Sequence, residues 1–280
     1  MPIDQIHRRI DEHVTSRSYH TLLDVGGWFI PYPRATHVID FMPWETRGCK
    51  VQLEQLTDER FSKQTWFCID LCDPQSPFPF PDKSIDFVMC SGTLEDLADP
   101  QHCANEMARV GRAGYIRVPS MLSELTIGIQ DRTNNVVGYH HHKWICRQDR
   151  KQELTMMAKI DARLSRVRGE YVPHRTAERL FNLQFERDIH FFWDGHYTVS
   201  YEAGPSVRDR ILIYLDDLQI SRSEYIIDSA KRLARNGRDF VMRRGSFAPR
   251  NMPWWGEMLA ISRPFSDPAL WIKAGGRVNS

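Results

Sequence analysis

The chain has 280 residues, enough for one large domain or for one domain with a substantial appendage. Its 37 basic and 36 acidic side chains leave a net charge of +1, without the basic excess of a dedicated nucleic-acid binder, so nucleic acid is not the expected partner. The charged N-terminus and the lack of any apolar run near the ~18 residues of a membrane helix exclude a secretory leader and a membrane span, and the expected location is the cytoplasm.

Asp4 to Val14 reads as a short charged helix with Ile6 and Ile10 on one face. The run Thr21-Leu22-Leu23-Asp24-Val25, stopped by Gly26-Gly27, fits a buried parallel strand. Two short strands come next, His37–Asp40 and Trp66–Asp70, each ending in an acid, and Ile85–Cys90 makes a fourth. Pro100 to Val110 spaces Cys103, Met107 and Val110 as one helix face, and Gly114–Val118 is a fifth strand closed by Pro119. Strands alternating with crossovers imply an α/β fold with a parallel sheet. The second half is less regular. Arg147 to Arg166 reads as a charged helix, and Asp188 to Glu202 as a hairpin turning at Asp194-Gly195. Val207–Ile220 and Arg222–Asn236 are two further helices, before a tail rich in Pro, Gly and Trp. The six cysteines include no C-x-x-C pair, which excludes zinc-ribbon and thioredoxin-like readings and fits buried thiols in a reducing compartment.

The chemistry begins at the turn Asp24-Val25-Gly26-Gly27. A ligand at the end of a parallel strand needs close backbone approach, which glycine permits. The G-x-G-x-x-G of a dinucleotide loop is absent, and Trp28-Phe29-Ile30-Pro31 is too bulky for a pyrophosphate, so a nicotinamide or flavin dinucleotide is disfavoured. Asp40, 14 residues after Gly26, stands where an acid can accept from both ribose hydroxyls. Asp70 can accept from an adenine amine, and Leu71 can cover a face of the base.

The stretch Pro77-Phe78-Pro79-Phe80-Pro81-Asp82-Lys83-Ser84-Ile85-Asp86-Phe87-Val88-Met89-Cys90-Ser91 resembles the fourth-strand region of class I methyltransferases. Gly92–Pro100 resembles the loop after that strand in the family, and Asn105–Tyr115 resembles the next helix and the turn into the fifth strand. The likeness covers about Leu22 to Ser120. It implies a Rossmann-like, doubly wound, mostly parallel sheet ending in a C-terminal antiparallel hairpin, with S-adenosyl-L-methionine as cofactor. By position, Asp24, Gly26 and Gly27 would flank the cofactor's amino-acid end and Asp40 its ribose. Asp70 and Leu71 would flank its adenine, with Ser91 and Gly92 under the sulfonium. Two departures stand out: Trp28 replaces the later glycine of the first loop, and position 96 is Asp where many relatives carry His. A narrower likeness runs through Arg109–Ser120, Glu124-Leu125 and Gly138-Tyr139-His140-His141-His142-Lys143-Trp144. It is similar to a branch found in glycan and secondary-metabolite clusters, and implies a small-molecule or glycan substrate. The expected organisation is a methyltransferase domain over 1–204, with a substrate-region insertion at about 120–187, and a helical or irregular extension over 205–280 that can serve a homodimer.

A hydroxyl nucleophile needs help in losing its proton, and histidine is the natural base near neutral pH. In an extended segment His140 and His142 would share one face, which makes them, with Asp96 after the fourth strand, the expected catalytic groups. The alternative is that the pair holds a metal with Glu124 or another acid, but two ligands on one face fall short of the three of an open catalytic metal, so no metal is expected. Glu95 is a weaker candidate, and Tyr19 or His20 can act as a lid. The acceptor atom stays open between oxygen, nitrogen and carbon, and a non-catalytic cofactor-binding partner is the rival from another class.

Overall fold

Five short apolar runs become the parallel strands of one sheet. They are β1 (Leu22–Val25), β2 (His37–Asp40), β3 (Trp66–Cys68), β4 (Ile85–Ser91) and β5 (Gly111–Pro119). The computed structural model describes residues 3–28, 31–46, 59–130, 136–166, 168–183 and 185–243. The sheet order is β3-β2-β1-β4-β5-β8, where β8 (Asp188–Asp194) lies antiparallel to β5 and every other pair is parallel. Successive strands run outward from β1 to β3 and then from β4 on its other side. The strand order therefore reverses between β1 and β4, where open α/β sheets bind ligands at the carboxyl ends of the strands.

Period-two alternation sets both cores. Leu23 and Val25 face α2 (Pro100–Val110) and pack with Met107, Val110 and Ile116; Leu22 faces the other side, with Ile10 and Val14 of α1 (Ile3–Ser16). Asp99 caps α2 by accepting from Gln101 N, with Pro100 in the first turn, an arrangement worth about 1 kcal/mol. Arg109 on α2 donates to the carbonyls of Phe78 and Phe80 and pairs with Glu106, which accepts from Phe78 N. The Pro77–Asp82 stretch is thereby laid along α2. At Gly114 a Cβ would stand 2.3 Å from Val88 O and 2.4 Å from the Trp193 ring, so only glycine lets β8 seat that indole against the sheet.

The second half departs from expectation in three places. Arg147 to Arg166 is not one helix. It forms β6 (Trp144–Arg150) and β7 (Glu153–Ala158), a hairpin, and then one turn of α4 (Lys159–Ala162). Leu154, Thr155, Met156 and Met157 are all buried, so burial on both faces overrides a charge pattern that reads as helix. The Asp194-Gly195 turn is present, but β9 (Thr198–Glu202) does not return along β8; it pairs in parallel with β7 in a second sheet, β6-β7-β9. Tyr197 explains this. Its ring packs on Trp193 and its hydroxyl donates to Ala104 O at 2.7 Å, which draws the chain under α2 and away from β8. The expected lid residues lie at the wrong end. Tyr19 and His20 precede β1 and so sit at its amino end, where Tyr19 stacks on Phe87 and His20 N donates to Asp86.

Helix α3 (Met121–Leu125) comes after β5, and α5 (His174–Leu183) precedes β8. Helices α6 (Pro205–Asp217) and α7 (Arg222–Arg243) complete the described chain. Val207, Ile211 and Leu215 of α6 pack with Met121, Leu125, Ile145 and Met157, so the first helix after Pro205 is built onto α3, β6 and β7. Arg232 in the basic run of α7 pairs with Asp228 beside Tyr171. The Pro/Trp-rich tail of the expected extension, beyond residue 243, lies outside the described residues. Among those residues, no helix is long and apolar enough to cross a membrane.

Candidate functional site

The carboxyl ends of β1, β2 and β4 are level, since Val25 is in register with both Ile39 and Cys90. Asp24, Gly26, Gly27, Asp40, Ser91 and Gly92 therefore meet at the strand-order reversal. Asp24 is buried and accepts from Tyr32 N at 2.7 Å; Asp40 accepts from Trp28 N and Met42 N. Burial pushes Asp24 up to about 7 and Asp40 up to about 6, so both hold protons more readily than free carboxyls. Gly26 has φ +80°, and a Cβ there would fall 2.0 Å from Thr93 Oγ1. That glycine is fixed both by its left-handed backbone and by the approach of the loop after β4. Trp28 buries its ring in the α1-side core, so the residue in place of the later glycine leaves the turn clear.

Asp70 lies just after β3 and accepts from Cys72 N in a local turn, while Leu71 is buried. Ser91 Oγ accepts from Arg117 Nε at 2.7 Å, and Gly92 N donates to Arg117 O. Arg117, which sequence reasoning passed over, also pairs with Asp188 of β8 and so ties the end of β4 to β5 and β8.

Beyond Gly92, one turn (Leu94–Asp96) carries Glu95 and Asp96. Lys143 holds this turn, because its N donates to Glu95 O and its Nζ to Asp96 O, and Trp144 Nε1 donates to Leu97 O. The histidines just before β6 are thereby brought to Asp96. They do not alternate as an extended segment would, since residues 140 and 141 form a turn. His140 is carried off to Gln130, at 2.9 Å, and does not share a face with His142. His141 and His142 converge instead, with their Nε2 atoms 3.9 and 3.8 Å from Asp96 Oδ1. His142 Nδ1 meets Glu124 Oε1 at 2.5 Å, and Lys159 Nζ donates to Glu124 Oε2 at 2.6 Å. Glu124, from α3, is wholly buried.

The electrostatics are set by these neighbours. Burial works against the Glu124 charge, but the His142 hydrogen bond and the Lys159 ammonium overcome it and hold Glu124 below its ordinary value. Burial likewise opposes the His142 charge, and the surrounding Glu124, Glu95 and Asp96 reverse that and raise it. His141 is pushed down to about 3, by burial first and then by its histidine neighbours, so its ring is neutral near pH 7. Burial raises Glu95 and Asp96. Separately, a cleft of about 280 Å³ opens where β5 ends and β8 begins, lined by Arg9, Ser120, Asp188, His190 and Tyr214. It lies between the carboxyl end of the fifth strand and the start of the next strand of the sheet.

Residues 45–116 match a protein-family model described as a methyltransferase domain. Over that stretch, about a quarter of the chain, the sequence is similar to a methyltransferase domain. The match takes in β3, β4 and α2 and reaches into β5; the turn at Gly26 and Asp40 precede it and lie at the ends of β1 and β2, the strands in register with it. A search of curated proteins returned no match. Solved structures similar to the chain include a SAM-dependent methyltransferase from Aquifex aeolicus (17% identity, 42% of this chain and 73% of that one, TM-score 0.29). Others are the cyclase SpnF (18% identity, 41% and 44%, TM-score 0.32) and the N-terminal domain of EvdMO1, solved with SAH and D-fucose (16%, 43% and 52%, TM-score 0.31). The alignments thus span about half the length of SpnF and of the EvdMO1 domain.

The strand ends fit S-adenosylmethionine in two observable respects. Two buried carboxyl groups stand at the ends of neighbouring strands, Asp24 beside Val38 and Asp40 two residues further along β2, suited to an amine and to ribose hydroxyls. The glycine turn between them adds no side-chain bulk. Asp96 and His142 come together, while His140, expected to share a face with His142, does not join them. The second histidine of the group is His141, and Lys159 had no local signal at all.

Proposed function

We propose that this chain transfers the methyl group of S-adenosylmethionine to a hydroxyl of a sugar, a glycan precursor or another small metabolite. One observation carries the reading: Asp96, on the loop leaving Gly92, meets His141 and His142 from the segment before β6, with Glu124 of α3 behind them, on the loop that leaves the sheet beside the expected cofactor residues. The bound cofactor supplies a methyl carbon already activated by its sulfonium charge. Asp24 and Asp40 hold the polar ends of the ligand at β1 and β2, with Asp70 and Leu71 at the adenine. Ser91 and Gly92, braced by Arg117, set the floor against which the acceptor must line up. Such alignment is worth several kcal/mol of barrier. The acceptor hydroxyl must give up its proton as its oxygen attacks, and the partly exposed carboxyl group of Asp96, raised by burial to about 6, is the group placed to receive it. Glu124 and Lys159 hold the His142 ring in place. The cleft beside Ser120 and Asp188 offers a polar wall for a hydroxylated substrate. The test is formation of S-adenosylhomocysteine from S-adenosylmethionine with a panel of sugars, nucleotide sugars and phenols. Turnover with hydroxyl acceptors that is lost in D96N supports the reading. Turnover restricted to amines or carbon acids would refute the hydroxyl assignment.

A further inference from the structure

His141, His142 and Asp96 each offer one ligand atom, and these three atoms lie within 4.8 Å of one another. Metal–ligand bonds of about 2.0–2.2 Å put tetrahedral donors about 3.4 Å apart. The two Nε2-to-Asp96 separations, 3.9 and 3.8 Å, are too long for hydrogen bonds and need only a small contraction around an ion. A second observation points the same way. Asp96 Oδ1 is buried and has no hydrogen-bond partner among the described residues, although both imidazole Nε2 atoms face it. A buried acceptor left unpaired costs about 1–3 kcal/mol. The ring of His142 is already set for coordination: its Nδ1 faces the buried Glu124 carboxylate, which Lys159 fixes in turn, so Nε2 is the atom turned toward Asp96. Histidines that bind metals are oriented by such a carboxylate behind them.

We infer that Asp96, His141 and His142 form a site for one divalent transition-metal ion, with Glu124 orienting His142 from behind. Two imidazoles and one carboxylate select the borderline ions of the zinc, cobalt, iron(II) and manganese class over magnesium and calcium, which prefer oxygen ligands throughout. The Asp96 side chain is 35% exposed, so the ion would keep positions open on the side away from the core. Resting on the methyl-transfer reading, such an ion would bind the acceptor hydroxyl and lower its pKa, with the proton released to solvent on the open side of the site or to the second oxygen of Asp96.

The test uses the full chain and cobalt(II) as the probe, read by visible absorption and calorimetry. One equivalent is expected to bind. H141N and H142N should each weaken binding at least 100-fold and change the absorption bands, and E124Q should weaken it about 10- to 100-fold. H140N should bind as the wild type does, and excess zinc, but not magnesium, should displace cobalt. S-adenosylmethionine binding by each variant shows that it is folded. Should H141N or H142N fail to fold, the wild-type stoichiometry and the zinc competition decide. A wild-type chain that binds S-adenosylmethionine but not one equivalent of cobalt overturns the site and leaves the methyl-transfer reading intact. Cobalt binding that survives both histidine substitutions also overturns it. Cobalt binding without any binding of S-adenosylmethionine would instead remove the functional reading alone.

Discussion

Replacing Glu124 by Ala perturbs the group on which the account of the site depends. Glu124 is wholly buried, and its two oxygens meet His142 Nδ1 and Lys159 Nζ, while Lys159 Nζ also donates to Tyr139 O. Truncation leaves a largely buried ammonium and a buried imidazole without their counter-charge. Breaking a buried pair from one side costs about 3–5 kcal/mol, because the partner's desolvation is no longer offset. For a chain of this size each kcal/mol shifts the melting temperature by about 2–4 °C, so E124A should melt roughly 6–20 °C below wild type. Lys159→Met in the same chain removes the stranded ammonium and should recover part of the loss. Denaturant titration and calorimetry of the wild type, both single variants and the double variant close the cycle. A loss below about 1 kcal/mol in E124A, or strictly additive losses in the double variant, would refute the reasoning that this carboxylate holds two cations in place.

The same geometry predicts other outcomes. Gly26→Ala puts a Cβ against Thr93 at a φ of +80°, so backbone strain of about 1–2 kcal/mol adds to the displacement of the Thr93 loop. Affinity for S-adenosylmethionine, read by calorimetry, should fall about tenfold or more. Asp24 is raised by burial from 3.8 to about 7, so between those values the folded chain keeps a proton that the unfolded chain has lost. Its contribution to stability is full below pH ~4 and is lost as pH rises toward about 7. The melting temperature of D24N should accordingly fall less between pH 5 and 7.5 than that of wild type, and equal slopes would contradict the assignment. Tyr197→Phe removes the hydroxyl bond to Ala104 O and should cost about 1 kcal/mol in denaturant unfolding, with little change in cofactor affinity.

The parallel half of the fold was legible because each element announces itself locally. Leu22–Val25 is apolar on both faces and stopped by glycines, and Pro100–Val110 carries its cap, its proline and its apolar spacing within 12 residues. The segment from β6 to β9 was not legible in the same way. In β7, Leu154 to Met157 is buried on both sides by elements distant in sequence, and no local pattern distinguishes that from a helix face. The turn at Asp194-Gly195 was visible, but the destination of β9 depends on Tyr197 finding Ala104, a contact 93 residues away in sequence. The site divides along the same line. Asp24, Gly26, Asp40 and Asp96 lie at or just beyond strand ends and can be placed once the strands are known. The pairing of His141 rather than His140 with His142 depends on a turn at 140–141 and on Lys143 anchoring to the Glu95-Asp96 turn, neither of which the triple histidine reveals.

The most direct measurement of the central claim is calorimetric titration of the full chain with S-adenosylmethionine and, separately, with NAD. The account predicts one equivalent of S-adenosylmethionine bound, weakened in G26A and D40N, and no binding of NAD. Binding of NAD without S-adenosylmethionine, or S-adenosylmethionine binding indifferent to both substitutions, would contradict it.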